Sequence, residues 1–542
     1  MNNAIYSFRE PKNEPVFSYK PGSPERLRIE EELKAQISKV IDIPLIIDGK
    51  EVRTGRTRKV VMPTDHGHVL ANCHQAGEKE VEMAIRAAMA AKCEWMTLSW
   101  HERCAIMAKA AELISHKYRY TILAATMLGQ GKNVMQGEID AVCEVIDYLR
   151  FNNHFASMIY EAQPISENGN INRLEYRPLE GFVYTVSPFN FTAIASNLNT
   201  SVVLMGNTTI WKPASASLLS NYYLMKIFME AGLPGGVINF VPGSGELITK
   251  VVMKNRDLGG FHFTGSNPTF NTLWRQVAEN LTSYKSYPRI VGETGGKGFI
   301  FAHNSSNPRE LATAIARGSF EYQGQKCSAS SRAYIPESIW EETKDHLLRM
   351  ISEMKMGDVT DFRNFINAVI DEGAFDKIMS YIEKVKNSDD AKILTGGNGD
   401  KSKGWFIEPT IIQTTNPHFI TMEEEIFGPV MTIFVYKDTK FEETLAICDE
   451  TSPYALTGAV FSNDKYATIQ ACRALRYSAG NFYFNDKPTG AMVGQQPFGG
   501  SRASGTNDKA GSHLNLIRWV SPRTIKETLT PPSDFRYPFM EE

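Results

Sequence analysis

Cys327 is the residue of this sequence best placed for covalent chemistry, because its neighbours in the segment EYQGQKCSA are polar residues and glycine. Lys326 stands beside it, and an adjacent ammonium group can lower the pKa of a thiol from about 8.5 towards that of a reactive thiolate. The alternative for any single cysteine is a small buried apolar residue. Five other cysteines favour that alternative, since they fall within apolar helical spacing: Cys93, Cys104, Cys143, Cys448 and Cys472.

Two polar residues at predicted strand ends have the chemistry to complete such a site. Glu293 follows the apolar residues RIV in the turn GETGGKG. A carboxylate at this edge of an α/β sheet can act as a general base, although an ordinary solvated turn residue is the alternative. Asn190, in SPFNF, can donate an amide hydrogen bond to a developing oxyanion. Its alternative is to cap the helix that begins near Thr192.

Three further turns after predicted strands have the composition of nucleotide-binding turns: WKPAS at 211–215, GSG at 243–245 and FTGS at 263–266. Glycine lets the backbone approach a phosphate, and a helix N-terminus supplies N–H donors. The segment GSGELI lacks the third glycine of the dinucleotide fingerprint, so it is a weak signal by itself. The sequence contains no Walker, HExxH or CxxC motif, and no metal site is predicted.

These segments need a scaffold of strands and helices to bring them together. Asp48-Gly49 between apolar runs predicts a hairpin at 43–53. Helical periodicity predicts long helices over 77–91, 101–128 and 137–160. From Gly181 onwards short apolar runs alternate with amphipathic ones, which indicates βαβ units and a parallel sheet.

A second α/β series is predicted from about 298 to 483, after the boundary at Gly296-Lys297. The glycine-rich polar stretch 388–404 is predicted to be a surface loop. Alternating apolar and polar residues near 517–529 predict a terminal strand, and a strand beyond the last domain can pair with another subunit.

Composition excludes several classes of protein. The net charge is −3 without a basic block, so no nucleic-acid partner is expected. No apolar run reaches the ~18 residues of a membrane-spanning helix, so no membrane partner is expected. Seven scattered cysteines exclude a disulfide scaffold and favour a reducing compartment. The N-terminus carries no evident targeting signal, which favours the cytoplasm, or the mitochondrial matrix for a mature eukaryotic form.

The motifs gain specificity from their order along the chain. SPFN, WKPAS, FTGS, GETGGKG, GQKCS, EEIFGPV and QPFGG together resemble the aldehyde dehydrogenase superfamily over nearly the whole length. The segments EIDAVCEVIDYLRFN, GQKCSASSRAY and KPTGAMVGQQPFGGSRASGTNDKAG are similar to the members that oxidise glutamate 5-semialdehyde. The resemblance implies an α/β fold with a Rossmann-type NAD-binding domain, a second α/β catalytic domain and a small β oligomerisation arm.

The same resemblance implies a division of the chain. The NAD-binding domain, with an N-terminal extension, is expected at 1–160 and 181–296, and the catalytic domain with the nucleophilic cysteine at 297–486. A substrate-anchoring loop is expected at 487–511, and the arm and tail at 161–180 and 512–542. A homodimer or higher homo-oligomer is implied, with a sheet across the dimer interface formed by the terminal strand and the segment Asn170–Pro178.

For catalysis, the resemblance makes Cys327 the nucleophile that adds to an aldehyde as a thiohemiacetal. Asn190, with the backbone N–H of Cys327, matches the oxyanion hole. Hydride transfer to NAD then leaves a thioester on the cysteine. Glu293 matches the base that activates water to hydrolyse this thioester.

The implied cofactor is therefore NAD. Glu425 and Phe427 match the residues that hold the nicotinamide ribose and ring, and Lys212 matches a clamp on the adenine ribose. The remaining expected cofactor-binding residues are Ser215, Gly243, Gly245, Thr264, Gly265 and Ser266. Many relatives that prefer NAD have glutamate where this chain has Ser215, so the preference for NAD over NADP rests on the resemblance alone.

The implied substrate is L-glutamate 5-semialdehyde, which forms by ring opening of 1-pyrroline-5-carboxylate, and the product is glutamate in the second step of proline degradation. Its carboxylate is expected on backbone N–H groups and a hydroxyl, and its methylene groups between two aromatic rings. The residues expected for these contacts are Gly490, Ala491, Ser328, Phe191 and Phe498. Glu144 is the candidate for the substrate ammonium, with an ordinary polar-face glutamate as the alternative.

Other functions remain open from the residues alone. One is an aldehyde dehydrogenase with another substrate or with coenzyme A as acyl acceptor. Another is a cysteine hydrolase or thioesterase that uses Cys327 and Glu293 without a dinucleotide. A scaffold protein is disfavoured because both residues are present.

Overall fold

The structure, a computed structural model, describes residues 8–541. Residues 1–7 of the predicted N-terminal extension and residue 542 of the predicted tail lie outside the described residues. The α-helices are α1 (Pro24–Ile37), α2 (Glu78–Trp95), α3 (Trp100–His116), α4 (Arg119–Gln130), α5 (Val134–Gly137), α6 (Val145–Glu161), α7 (Thr192–Leu204), α8 (Leu218–Ala231), α9 (Gly245–Val252), α10 (Asn267–Glu279), α11 (Pro308–Phe320), α12 (Glu337–Glu353), α13 (Glu372–Lys386), α14 (Ile420–Glu423), α15 (Phe441–Glu450), α16 (Lys465–Ala474) and α17 (His513–Leu516).

The strands alternate with these helices over most of the chain. They are β1 (Ile41–Ile43), β2 (Leu45–Ile47), β3 (Lys50–Val52), β4 (Thr57–Met62), β5 (Asp65–His74), β6 (Asn170–Pro178), β7 (Phe182–Val186), β8 (Thr209–Lys212), β9 (Ile238–Phe240), β10 (Leu258–Thr264), β11 (Arg289–Glu293), β12 (Gly298–Ala302), β13 (Ser330–Pro336), β14 (Ala391–Thr395), β15 (Gly399–Asp400), β16 (Phe406–Ile407), β17 (Thr410–Thr414), β18 (Val430–Tyr436), β19 (Tyr454–Ala455), β20 (Thr457–Phe461), β21 (Asn481–Phe484), β22 (Ser501–Arg502) and β23 (Val520–Thr528).

The first large sheet has the strand order β11-β10-β7-β8-β9-β2-β3. Its strands from β11 to β9 are parallel, and the predicted hairpin of β2 and β3 adds two strands at one edge, with β2 antiparallel to β9. Alternate residues enter different cores, since Val183 of β7 belongs to one apolar cluster and Tyr184 to another. Helices therefore cover both faces, as the predicted βαβ pattern requires.

The second large sheet has the order β14-β17-β18-β13-β12-β20-β21 and is parallel except for β14. Phe301 and Ile300 of β12 again enter separate cores. The predicted α/β architecture is confirmed. One expectation is wrong, because the presumed loop at 388–404 contains β14 and β15. An edge strand pairs with one neighbour only and is partly exposed to solvent. Its sequence therefore contains more polar residues than that of a central strand and resembles a loop.

The long helices depart from the predicted bounds in two places. The helix predicted over 101–128 is divided into α3 and α4 between His116 and Arg119. The helix predicted over 137–160 begins as a π-helix at Glu138–Glu144 before it continues as α6. A single π-turn inserts extra width into a helix and is frequent at functional sites, but hydrophobic periodicity does not reveal it.

An antiparallel ribbon of β6 and β23 extends from these cores, with Pro178 opposite Val520 and Asn170 opposite Thr528. Both predicted strands exist, but they pair with each other within one chain. The expected sheet across a dimer interface stays a prediction, because pairing within one chain leaves the outer edge of each strand available to another chain. The residues just before β23 belong to the main body, because Trp519 is fully buried in the first core.

Candidate active site

The turn before Cys327 is held in an unusual backbone conformation. Tyr322 and Gln323 both have positive φ (53° and 54°), which is rare for residues other than glycine. The Gln323 side chain stabilises it by donating from Nε2 to the carbonyl oxygens of Gly131 (2.9 Å) and Ala368 (2.8 Å). The nucleophile turn is thus attached to a helix end from the first half of the chain.

Glu293 lies against the thiol of Cys327. It is the last residue of β11, and its Oε1 is 3.6 Å from Cys327 Sγ. Burial raises the pKa of Glu293 to about 7, although the contact with Cys327 and the charge of Lys509 oppose this. At neutral pH the carboxyl group is therefore close to half-ionised and is suited to accept and return a proton.

The expectation that Lys326 lowers the pKa of Cys327 is wrong. Burial raises the pKa of the Cys327 thiol well above its usual value, and the neighbouring Glu293 charge adds to this effect. Lys326 Nζ instead lies 3.1 Å from Glu321 Oε2 and forms an ion pair with it. The titratable group in contact with the thiol is therefore Glu293 rather than an ammonium group.

The structure brings Asn190 to the nucleophile turn. Its Nδ2 donates to the carbonyl oxygen of Gln325 at 3.1 Å, two residues before Cys327. Asn190 does not cap the following helix, which begins at Thr192. Asp140 performs that function, because the N–H groups of Thr192 and Ala193 donate to its carboxylate oxygens at 3.0 and 2.8 Å. The amide of Asn190 therefore contacts the turn that leads to Cys327 rather than the start of α7.

Cys327 opens onto a cavity of about 600 Å³. The predicted catalytic, substrate and cofactor residues that line it are Glu144, Phe191, Thr264, Glu293, Cys327, Ser328, Gly490, Ala491 and Phe498. All six residues expected to bind substrate thus share one cavity with the candidate nucleophile and base. The predicted residues outside this lining are Asn190, Lys212, Ser215, Gly243, Gly245, Gly265, Ser266, Glu425 and Phe427.

One end of the cavity presents backbone and hydroxyl donors. Gly490 has φ of 92°, a conformation that favours glycine, and it turns the chain beside Ala491. Ser328 Oγ is hydrogen-bonded to Thr489 Oγ1 at 2.7 Å, and Lys487 Nζ donates to the Thr489 carbonyl at 3.2 Å. Lys487 also lines the cavity. It was not predicted as a site residue from the sequence, although it belongs to the KPTGA segment that carries the family resemblance.

Glu144 ends the π-helix and faces the same cavity. Burial raises its pKa well above the usual carboxyl value, and the nearby Asp140 carboxylate acts in the same direction while Lys132 opposes it. A cation that entered the cavity would favour the ionised form. This environment is compatible with a site for the ammonium group of a ligand and is unlike that of a solvated surface glutamate.

The N-terminal segment also reaches the cavity, which no sequence signal indicated. Glu14 lines it. Asn13 Nδ2 donates to Asp147 Oδ2 and to the Val493 carbonyl, each at 2.8 Å, and Asn13 Oδ1 accepts from Gln495 Nε2 at 2.8 Å. One amide side chain therefore connects the N-terminal segment, α6 and the predicted anchoring loop.

A second cluster of predicted residues lies at the carboxyl edge of the first sheet. Lys212 ends β8, and Gly245 begins α9 so close to it that a Cβ atom would lie 3.9 Å from Lys212 Nζ. Among residues 8–541, no carboxylate lies within 4.0 Å of this ammonium group. Burial lowers the Lys212 pKa. Without a partner among the described residues, this ammonium group is available to a polar group of a ligand.

The neighbouring turns have the expected backbone roles. Ser266 is the N-cap residue of α10, and Gly265 before it has no room for a side chain, since a Cβ atom would lie 2.7 Å from the Phe263 ring. Gly243 is bridged to Ala76, whose N–H would lie 3.2 Å from a Cβ atom. The turn that carries Ser215 precedes α8.

Glu425 and Phe427 contact the segments that follow β11 and β7 of this sheet. Glu425 Oε1 accepts from the Gly296 N–H at 2.7 Å, and burial raises the pKa of its carboxyl group. Phe427 has φ of 63°, and its ring packs edge-on against Phe189 at 5.8 Å. In the described part of the chain, no cluster of three His, Cys, Asp or Glu side chains is arranged to hold a metal ion.

Fold and site together define a class of protein. A family model described as "Aldehyde dehydrogenase family" matches residues 51–525, and the chain belongs to that family. It is 54% identical over 533 residues to the mitochondrial Delta-1-pyrroline-5-carboxylate dehydrogenase of Dictyostelium discoideum, covering 98% of this chain and 96% of that protein. With the human mitochondrial protein of the same name, identity is 46% over 530 residues, covering 98% and 94%.

The fold agrees with a solved relative in every region. The crystal structure of the Delta-pyrroline-5-carboxylate dehydrogenase from Mycobacterium tuberculosis bound with NAD matches with a TM-score of 0.97 and 48% identity, covering 100% of both chains. The resemblance inferred from the motifs is thereby confirmed. None of the helices in the described range has the length and apolar character needed to cross a membrane.

Proposed function

We propose that this protein catalyses the NAD-dependent oxidation of L-glutamate 5-semialdehyde, formed from 1-pyrroline-5-carboxylate, to L-glutamate. The observation that carries the proposal is the placement of Cys327 Sγ 3.6 Å from Glu293 Oε1 within a cavity. The same cavity is lined at Ser328, Gly490 and Ala491 by groups suited to a carboxylate. The names of the relatives and the near-identical fold support this substrate.

The reaction begins with proton transfer from Cys327 to Glu293 as the sulfur adds to the aldehyde carbon. A C–S bond forms, and the carbonyl oxygen gains negative charge, which the Asn190 amide and the Cys327 N–H stabilise. The chemistry supplied by bound NAD is acceptance of a hydride, which leaves a thioester on Cys327. Glu293 releases the first proton to solvent and then takes a proton from water as the hydroxyl adds to the thioester carbon. The C–S bond breaks to release the acid, and Glu293 returns its proton to the leaving thiolate, which regenerates the thiol.

The residues of the first sheet fit the cofactor. The ammonium group of Lys212, which has no carboxylate partner in residues 8–541, can donate to ribose hydroxyls. The N-termini of α9 and α10, behind Gly243–Gly245 and Gly265-Ser266, can donate backbone N–H groups to phosphates. Glu425 would hold the nicotinamide ribose and Phe427 its ring. Thr264 lies at the end of β10 directly opposite Glu293 of β11, and this pair joins the cofactor edge to the catalytic base.

The groups at the substrate end of the cavity are better suited to an aldehyde that carries amino and carboxylate groups than to a simple aldehyde. Backbone N–H groups at Gly490 and Ala491 and the Ser328 hydroxyl would bind the carboxylate. The rings of Phe191 and Phe498 would flank the methylene groups, and Glu144 would bind the ammonium. A coenzyme A acceptor is not favoured, because Glu293 is in place to activate water.

The first experiment compares substrates. Formation of NADH, followed at 340 nm, is measured with 1-pyrroline-5-carboxylate, short aliphatic aldehydes and succinate semialdehyde. The proposal expects the highest kcat/KM for 1-pyrroline-5-carboxylate. A preference for simple aldehydes would refute the assigned substrate, and thioester hydrolysis without any NAD-dependent activity would favour the hydrolase.

A matched pair of variants tests the carboxylate anchor. Ala491→Pro removes one N–H donor, whereas Ala491→Ser retains it. Loss of a hydrogen bond to a charged group predicts a KM for 1-pyrroline-5-carboxylate raised roughly 10-fold or more in the proline variant. The KM for a short aliphatic aldehyde, which has no carboxylate, is expected to stay near the wild-type value. Equal losses for both substrates would contradict the anchor.

The ribbon of β6 and β23 supports a homodimer or higher homo-oligomer, because its unpaired edges are exposed and can pair with another chain. Light scattering of the full chain tests this assembly, and a monomer would refute it. For location, the word "mitochondrial" in the names of several relatives supports mitochondria for a eukaryotic form, with the matrix as the proposed compartment, and the cytoplasm is the alternative. Cell fractionation with an antibody to the chain distinguishes the two.

A further inference from the structure

Lys132 is a buried cation that the reaction described above does not use. It follows the helix α4 and Gly131, and its side chain is only 1% exposed. Its Nζ lies 2.6 Å from Asp140 Oδ2. A buried ion pair is costly to desolvate, so its retention beside an active site calls for a specific role.

The ammonium group of Lys132 lies between two aromatic rings from different halves of the chain. It is 4.1 Å from the ring centroid of Phe191 and 4.5 Å from that of Tyr322. Phe191 adjoins the oxyanion donor Asn190, and Tyr322 begins the positive-φ turn that leads to Cys327. A desolvated cation is attracted to the faces of both rings.

Asp140 fixes the cation from the first-domain side. Its two carboxylate oxygens also accept the N–H groups of Thr192 and Ala193 at the start of α7. These residues directly follow Asn190 and Phe191. Lys132, through Asp140, is therefore connected to the backbone that carries the oxyanion donor.

The turn at 322–323, which supplies the second ring, is also held by a specific contact. Gln323 donates to the carbonyl of Gly131, the residue before Lys132. The turn at 322–323 is thus aligned with the chain at 131–132 by both a hydrogen bond and a cation–ring contact. Lys132 is not among the residues that line the cavity, and its ammonium group is held by Asp140 and the two rings.

We propose that Lys132 is a positioning residue, whose ammonium group between Phe191 and Tyr322 sets the placement of the oxyanion donor relative to the nucleophile turn. This inference rests on the proposed function, since it assigns Asn190 and Cys327 their roles in aldehyde oxidation. Removal of the charge displaces the two segments relative to each other. Stabilisation of the oxyanion then falls, whereas the cofactor edge at Lys212 is unaffected.

The test compares full-length Lys132→Met, which keeps the length of the side chain without its charge, with Lys92→Met. Lys92 is also buried (8% exposed) and its Nζ has no hydrogen-bond partner among the described residues, but it lies outside the cavity lining. Misplacement of reacting groups predicts a fall in kcat of about 10- to 100-fold for Lys132→Met, with the KM for NAD within about twofold of wild type. Lys92→Met is expected to keep the wild-type kcat.

Alkylation of Cys327 by iodoacetamide, read by mass spectrometry, adds a second readout. This reaction needs the thiol and Glu293 but no oxyanion donor, so its rate in Lys132→Met is expected to remain near that of wild type. A generally loosened site would instead raise both KM values and change the alkylation rate, which would overturn the positioning role. A kcat of Lys132→Met equal to wild type would also overturn it.

Two substitutions of Tyr322 test the proposal even if Lys132→Met does not fold. Its hydroxyl has no hydrogen-bond partner within residues 8–541, so Tyr322→Phe keeps the contact that matters and is expected to retain at least half of kcat. Tyr322→Leu removes the ring and is expected to lower kcat several-fold. Equal activities of the two variants would refute the inference. A wild-type protein that oxidises no aldehyde would refute the proposed function and this inference with it.

Discussion

The reactive end and the nucleotide end of the site are built in opposite ways. At the reactive end each group already has a partner, since Cys327 contacts Glu293 and Asn190 donates to the backbone of Gln325. At the nucleotide end, Lys212 has no carboxylate partner among the described residues. Groups that react must be held in place before the substrate arrives, whereas groups that bind keep free donors for the ligand.

The supports of the two ends differ in origin. The reactive end is assembled from both α/β units, because Gln323 is attached to Gly131 and Asn190 reaches the nucleophile turn. The part of the nucleotide end around Lys212 is formed by one sheet edge and the helices that follow its strands, and only Glu425 and Phe427 are expected from the second unit. Substitutions at the reactive end should therefore change kcat, and those at the nucleotide end should change KM for NAD.

The largest effect is expected for Cys327→Ala. Removal of the nucleophile predicts a fall in kcat of about 10⁴-fold or more, because the thiohemiacetal cannot form. NAD binding, measured by calorimetry, should be retained, since the nucleotide end does not need the thiol. Cys93→Ala, at an exposed cysteine, is the control and should keep full activity. Substantial NADH formation by Cys327→Ala would contradict the assigned chemistry.

Glu293→Gln should have the next largest effect, a fall in kcat of roughly 10²- to 10⁴-fold through loss of the base. The pKa of Glu293 is raised to about 7 by burial, and only its ionised form accepts a proton. Wild-type kcat/KM should therefore rise as pH increases through about 7. In Glu293→Gln this rise should disappear, and a rise at higher pH from the Cys327 thiol should remain. An unchanged pH profile would exclude Glu293 as the titrating group.

Lys212→Ala tests the nucleotide end. Loss of a charge-assisted hydrogen bond predicts a KM for NAD raised roughly 10-fold, with kcat at saturating NAD changed much less. Lys250→Ala, at an exposed lysine of α9, is a suitable control. If Lys212→Ala instead lowers kcat at saturating NAD as strongly as Glu293→Gln does, the proposed separation of the two ends is incorrect.

The smallest effect is expected for Asn13→Ala, which removes hydrogen bonds to Asp147, Val493 and Gln495. The anchoring loop loses a connection to α6, so the KM for the aldehyde should rise a few-fold and stability should fall by about 1–3 kcal/mol. Steady-state kinetics and urea unfolding measure both. Asn13→Asp keeps the size but repels the Asp147 carboxylate, and it should be at least as impaired. A raised KM for NAD alone would contradict this role.

Much of the fold was predictable because its signals are local. The hairpin of β2 and β3 follows from Asp48-Gly49 between apolar runs, and the order of strands and helices from Gly181 onwards follows from their periodicities. β14 was missed because an edge strand lacks the continuous apolar pattern of the buried strands. The π-helix at Glu138–Glu144 was missed because it interrupts a helix without a change of composition.

The sequence by itself determined the family, the order of the α/β elements and the residue types at Cys327, Glu293 and Asn190, since all of these depend on neighbours along the chain. Only the tertiary structure decided the ion pair that removes Lys326 from the thiol and the pairing of β6 with β23 in one chain. It also decided the position of Lys132 between the rings of Phe191 and Tyr322, which are far apart in sequence. Each of these features joins residues that are distant in sequence. Charge interactions, burial and strand pairing depend on which groups are neighbours in space, and the local sequence does not determine that.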